Sequence, residues 1–235
     1  MPKNHNSASR LLRILNSIRS HPDGTQILSV WADHFGISEG NASRSSRLVA
    51  ERLAAMTREL ELVRAGMAKA DFSEGLYAPA LNAVESALSP LLLPATWNQV
   101  RSNLSTETLL ALGFCSEILP DEESEIPLVE LQAIEGLVAE LEGLLRNSSL
   151  PPRLQAVLRH HVELMRQALA EYPIAGAKAL REAARSGLGE LVEVREAVVE
   201  NNKSAEVSKL AQAWKQLNTA ADAALKADKL LQLGQ

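Results

Sequence analysis

The sequence predicts an all-α protein, and three observations carry that expectation. Aromatic residues make up only 3% of the 235 residues, while Ala and Leu dominate. Ala and Leu lose little entropy in a helix, whereas strands favour β-branched and aromatic residues. Apolar residues also recur at steps of three and four over long stretches, the helical period. Finally, strand signals are missing: Asp23-Gly24 is the one tight-turn pair of the Asn-Gly or Asp-Gly kind, and helical patterns flank it.

The elements follow in order. Leu11, Leu12, Leu15 and Ile18 define a first helix over about Ser9 to Ser20, broken by His21-Pro22-Asp23-Gly24. A second covers roughly Thr25 to Phe35 and stops at Gly36. A third starts near Asn41 or Ser43 and continues to about Lys69, carrying Leu48, Leu53, Met56, Leu60 and Val63. Pro79, Pro90, Pro94 and Pro120 cut the next stretch into short pieces, although Ser105 is a good N-cap for a helix bearing Leu109, Leu112, Cys115 and Leu119. The acidic run from Asp121 to Glu125 reads as a solvated loop leading into the next helix.

The last 110 or so residues have the clearest period. Leu131, Ile134, Val138, Leu141 and Leu145 form one stripe; Leu154, Val157, His161, Leu164 and Ala168 a second. After Tyr172-Pro173, Leu180, Ala184, Gly187, Leu191, Val194 and Val198 form a third. Ser204 caps a fourth with Val207, Leu210, Trp214, Leu217, Ala221 and Ala224. Four such helices with short connections predict a C-terminal antiparallel bundle. Gly187 on its stripe permits close helix approach or, with Gly189, marks a kink. The expected organisation is an N-terminal helical unit at 1–70, a connecting region of short helices at 71–125 and the bundle at 126–235.

Composition bounds the function. The single cysteine, Cys115, rules out an internal disulfide and suits a reducing, cytoplasmic setting with a buried, inert thiol. The apolar run at Leu91–Leu93 is far below the roughly 20 residues of a membrane span, so no membrane association is expected. The net charge of −5 divides unevenly: residues 1–70 hold ten Lys/Arg and six Asp/Glu, a balance of +4, and residues 71–235 hold fourteen and twenty-three, a balance of −9. Such asymmetry suits nucleic acid at one end, or acidic-on-basic packing between copies or partners.

One phrase resembles a helix-turn-helix. Ala32, Gly36, Ile37, Ser38, Ala42, Ser43 and Arg44 stand in that motif's register, with Ala allowing a close crossing, Gly the turn and Ser38 a cap. The resemblance implies a DNA surface made of Ser38, Asn41, Ser43, Arg44 and Arg47. The acidic opening Glu39-Gly40 and the length of the following helix count against it. A second spacing, Arg153 and His160 with six residues between, is similar to the Arg/His motif of the all-helical HEPN ribonucleases. With 16 arginines and five histidines, about one such spacing arises by chance. His160, His161 and Glu163 lack a second ligand cluster, so no metal is expected. His160 reads as exposed, and His161 as a hydrogen-bonded boundary residue.

The stretch from Leu150 to Leu191 also resembles a segment of bacterial all-helical proteins of unknown function, some encoded near mobile-element or phage-defence genes. The shared pattern is a helix ending at Tyr172-Pro173, then Gly176, then a helix with Leu180 and a Gly187-Leu188-Gly189-Glu190-Leu191 ending. It implies a prokaryotic setting and carries over no functional residues.

Phosphate loops, dinucleotide fingerprints and nucleophile elbows are missing from the sequence. The reading is therefore a non-enzymatic helical protein without cofactor, binding a protein partner or itself. Apolar positions beyond one stripe (Leu128, Leu137, Leu144, Val192, Val199) supply surface for it. A helix-turn-helix regulator is the alternative, and a helical nuclease the third reading.

Overall fold

The computed structural model describes residues 4–37, 41–193 and 195–232. The fold is all-α, and its described residues form two compact units, Met1–Glu122 and Glu123–Gln235.

The first unit opens with α1 (Ser7–Ile18), α2 (Ile27–His34) and α3 (Ala42–Lys69), which pack on one another. Asn6 starts α1 through a reciprocal cap: its side chain accepts from the Ser9 N–H, and the Ser9 hydroxyl accepts from the Asn6 N–H. Gly36, at φ +64°, turns the chain after α2 where an L side chain would be strained. Three further helices follow, α4 (Ala78–Ala87), α5 (Asn98–Arg101) and α6 (Thr106–Ile118), interleaved with single 3₁₀ turns. Pro79 and Pro90 sit at the starts of their pieces, where a missing N–H costs nothing. Ser105 caps α6 by accepting from Thr108. Residues 71–122, read from sequence as connecting pieces, belong to this unit, with α4 on α6 and α6 on α1.

The second unit contains α7 (Leu128–Arg146), α8 (Pro152–Ala175), α9 (Ala177–Glu193), α10 (Arg195–Glu200) and α11 (Ala205–Gln232). α7 packs on α8, α8 on α9, α9 on α11 and α11 on α7, closing a ring around one apolar core. Ile134, Val138, Leu141 and Leu145 are buried as the period requires, and so are Val207, Leu210, Trp214, Leu217, Ala221 and Ala224. The α8 stripe is wider than expected: Leu158, Val162 and Met165 join it, and Leu164 is only partly buried. Val194 lies outside the described residues.

Two expectations are corrected here. α8 does not stop at Tyr172-Pro173. Pro173 lies in its last turn, and the helix ends at Gly176, at φ +67°. Nor is the acidic run simply a solvated loop. Glu123 is buried, and its Oε2 accepts from the Ala177 N–H at 2.5 Å, satisfying a free donor at the start of α9. A Cβ on Gly176 would collide with that carboxylate. Asp121 accepts from the His5 N–H, and Glu122 accepts from the Ser7 N–H and hydroxyl. Three successive acids are thus tie points, because each meets backbone donors left over at or just before a helix start.

Counted by structural unit, the charge asymmetry largely vanishes. Residues 1–122 hold eleven Lys/Arg and thirteen Asp/Glu, a balance of −2, and residues 123–235 hold thirteen and sixteen, a balance of −3.

Candidate functional site

The start of α3 gathers four of the five residues proposed for DNA. Asn41, Ser43, Arg44 and Arg47 are all exposed on its first turns, and Ser38 lies outside the described residues. Asn41 is the cap of α3, accepting from the N–H groups of Ser43 and Arg44, so the helix begins later than a cap at Ser38 implies. Arg47 reaches along the helix to Glu51 at 2.5 Å, which offsets part of its charge.

Arg153 and His160 both lie on the exposed side of α8, separated by about 10 Å of helix axis at the usual rise. His160 hydrogen-bonds Glu190 of α9 at 3.2 Å rather than pairing with Arg153 or Glu163. Among the described residues, no group of three or more His, Cys, Asp or Glu is placed to hold a metal. Among the described residues, no helix is long and apolar enough to cross a membrane.

His161 departs from its expected role. It is wholly buried, and neither ring nitrogen has a hydrogen-bond partner. Burial holds its pKa below the ordinary 6.5, with Glu190 opposing and His160 adding to the shift. Its ring stands edge-on to Trp214 at 5.7 Å. Gly187 makes room for both: a Cβ there would lie 2.6 Å from Trp214 Cζ2 and 3.1 Å from His161 Nδ1. The glycine therefore serves close approach, and α9 runs on past Gly189 without a break until Glu193.

In the first unit, α6 carries an exposed apolar ridge. This helix buries Leu109, Leu112 and Cys115, yet Leu110 is 73% exposed and Phe114 46% exposed. Glu107, Leu110, Phe114 and Glu117 step by three and four along that outer face. Phe72 stands edge-on to Phe114 at 5.8 Å and is itself exposed, which widens the patch. Beside it, α1 and α6 enclose an open groove of about 1140 Å³, with Arg13, Asn16 and Arg19 on the α1 side. α1 runs antiparallel to α6. Asn6 at its start donates to the carbonyls of Ser116 and Leu119, and Arg19 at its end donates to Thr106. A helix apolar on two sides is normally buried on both.

Sequence reasoning missed a buried polar network between α1 and α3. The Arg10 guanidinium donates to Glu59 and Glu122, each at 2.7 Å, and to the Ser7 hydroxyl at 3.3 Å. An arginine between Ser9 and Leu11, off the apolar stripe, gave no signal. Its buried partner Glu59 is 49 residues away. Cys115 is buried as expected, and desolvation pushes its thiol up to about 11.

No protein-family model, curated protein or solved structure matches this chain.

Proposed function

We propose that this chain is a non-enzymatic helical interaction protein that pairs with a second copy of itself through the outer face of α6. The observation that carries the reading is the exposed Leu110–Phe114 ridge beside the α1–α6 groove. Large apolar patches left in water mark interaction surfaces.

Charge and register favour a second copy as the occupant. A two-fold contact needs one patch to complement itself. This patch holds a ridge and a groove, and charges of both signs. If two α6 helices cross antiparallel about a point level with Leu112, Leu110 of one copy faces Phe114 of the other. The same register sets Glu117 of one copy opposite Glu107 of the other, with Arg19, which lies near Glu107 and donates to Thr106, placed to bridge the two acids. Two such ion pairs at the rim would fix the register.

Sedimentation equilibrium tests this. The wild-type chain is expected at twice the monomer mass, and Leu110→Glu with Phe114→Glu at the monomer mass with its helix content intact. A wild-type monomer at every concentration overturns the reading. The likeness of residues 150–191 to bacterial helical proteins supports an accessory role in a multi-gene prokaryotic system.

One observation favours a second reading, a DNA-binding regulator. α1, α2 and α3 pack together, and Asn41, Ser43, Arg44 and Arg47 are exposed at the start of α3. On that reading, Arg44→Ala with Arg47→Ala abolishes a salt-sensitive gel shift, and no shift at low salt excludes it. The nuclease reading has no comparable support. His160 is engaged with Glu190, and its test is loss of RNA cleavage in His160→Ala.

A further inference from the structure

The second unit holds a cavity of about 340 Å³ between α9, α10 and α11, at the lower end of the roughly 300–1,000 Å³ of ligand pockets. Its walls are apolar: Leu191 from α9, Val198 from α10, Val207 and Leu210 from α11. Trp214 of α11 joins them. Its indole N–H is buried and has no hydrogen-bond partner, and the same is true of both ring nitrogens of His161 against it.

The available groups define what fits. Ala211, Lys215 and Asn218 also line the cavity, and all three are exposed, so they mark its open side. There Lys215 supplies a positive charge and Asn218 further donors. The complement is an apolar body with one negatively charged acceptor group. From this we infer that the cavity binds a small amphiphilic carboxylate, of which a medium-chain fatty acid is the simplest case. Its chain lies among the α9–α11 side chains, and its carboxylate meets Lys215 at the mouth.

The test uses the full chain and decanoate, followed by isothermal titration and by tryptophan emission. Saturable binding of one decanoate per chain is expected, with decanol at least tenfold weaker. Lys215→Glu is expected to weaken decanoate about tenfold. Ala211→Phe, at an exposed wall position, is expected to abolish binding while leaving the circular dichroism and melting temperature unchanged. Absence of saturable binding to the wild-type chain overturns the assignment. So does decanol binding as tightly as decanoate, or decanoate affinity that neither substitution changes. The α6 variants Leu110→Glu and Phe114→Glu should retain wild-type affinity for decanoate, which keeps this result separate from self-association.

Discussion

Arg10 Nη2 lies 2.7 Å from Glu59 Oε2, and both side chains are about 5% exposed. The pair joins α1 to α3, and Glu122 closes it from the solvent side. Removing one member of a buried pair strands the other charge, which costs about 3–5 kcal/mol. Arg10→Leu is expected to lower the stability of the first unit by that amount. Arg10→Leu with Glu59→Leu should recover most of it. Urea denaturation followed by Trp31 and Trp97 emission checks both.

Gly187 and Gly189 should respond oppositely to alanine. At Gly187 the new methyl meets Trp214 and His161, and overpacking of that kind typically costs about 1–3 kcal/mol. At Gly189 nothing lies within 4 Å of the added carbon, so the helix-propensity gain of about 0.8–1.0 kcal/mol is expected in full. Melting curves of the two variants decide it. Equal effects would show that Trp214 does not press on α9.

The second unit should weaken as pH falls through the histidine range. His161 is held neutral by burial, with a folded pKa below 6.5, so below that pH the unfolded chain binds a proton that the folded chain refuses. The stabilisation is whole above pH 6.5 and is lost progressively down to the folded pKa. His34, also lowered by burial with His21 adding to it, acts with the same sign in the first unit. Comparing the melting temperature of wild type and His161→Leu between pH 7.5 and 5.5 isolates the second unit. The variant should show the flatter slope.

Cys115 should be silent towards thiol reagents in the folded chain at pH 8. It is buried, and its pKa of about 11 leaves little thiolate. Reaction at the rate of a free thiol, without denaturant, would contradict that placement.

The stripes of α7 and α11 were legible because one face alone meets the core there, and the three-four period survives intact. Gly187 was legible for the same reason, as a gap on a stripe. The α6 surface was not. Leu110 and Phe114 interleave with Leu109, Leu112 and Cys115, so two apolar faces merge into a run without a period. Apolar positions beyond one stripe were also no guide by themselves. Leu137 is buried, whereas Leu128 and Val199 are exposed. Arg10, Glu122 and Glu123 stayed hidden because local sequence marks a charge as solvated, and their partners come from distant segments. His161 sat on a stripe as expected, but nothing local revealed that it would be left without a hydrogen-bond partner.

Charge exchange across the α6 contact tests self-association most directly. Arg19→Glu alone should weaken the dimer in sedimentation equilibrium, because two rim pairs become repulsive. Arg19→Glu combined with Glu117→Arg should restore it by reversing both partners of each pair. Recovery in the double variant is the expected result. A double variant as weak as the single one, or a dimer untouched by Arg19→Glu, would contradict an antiparallel α6 contact.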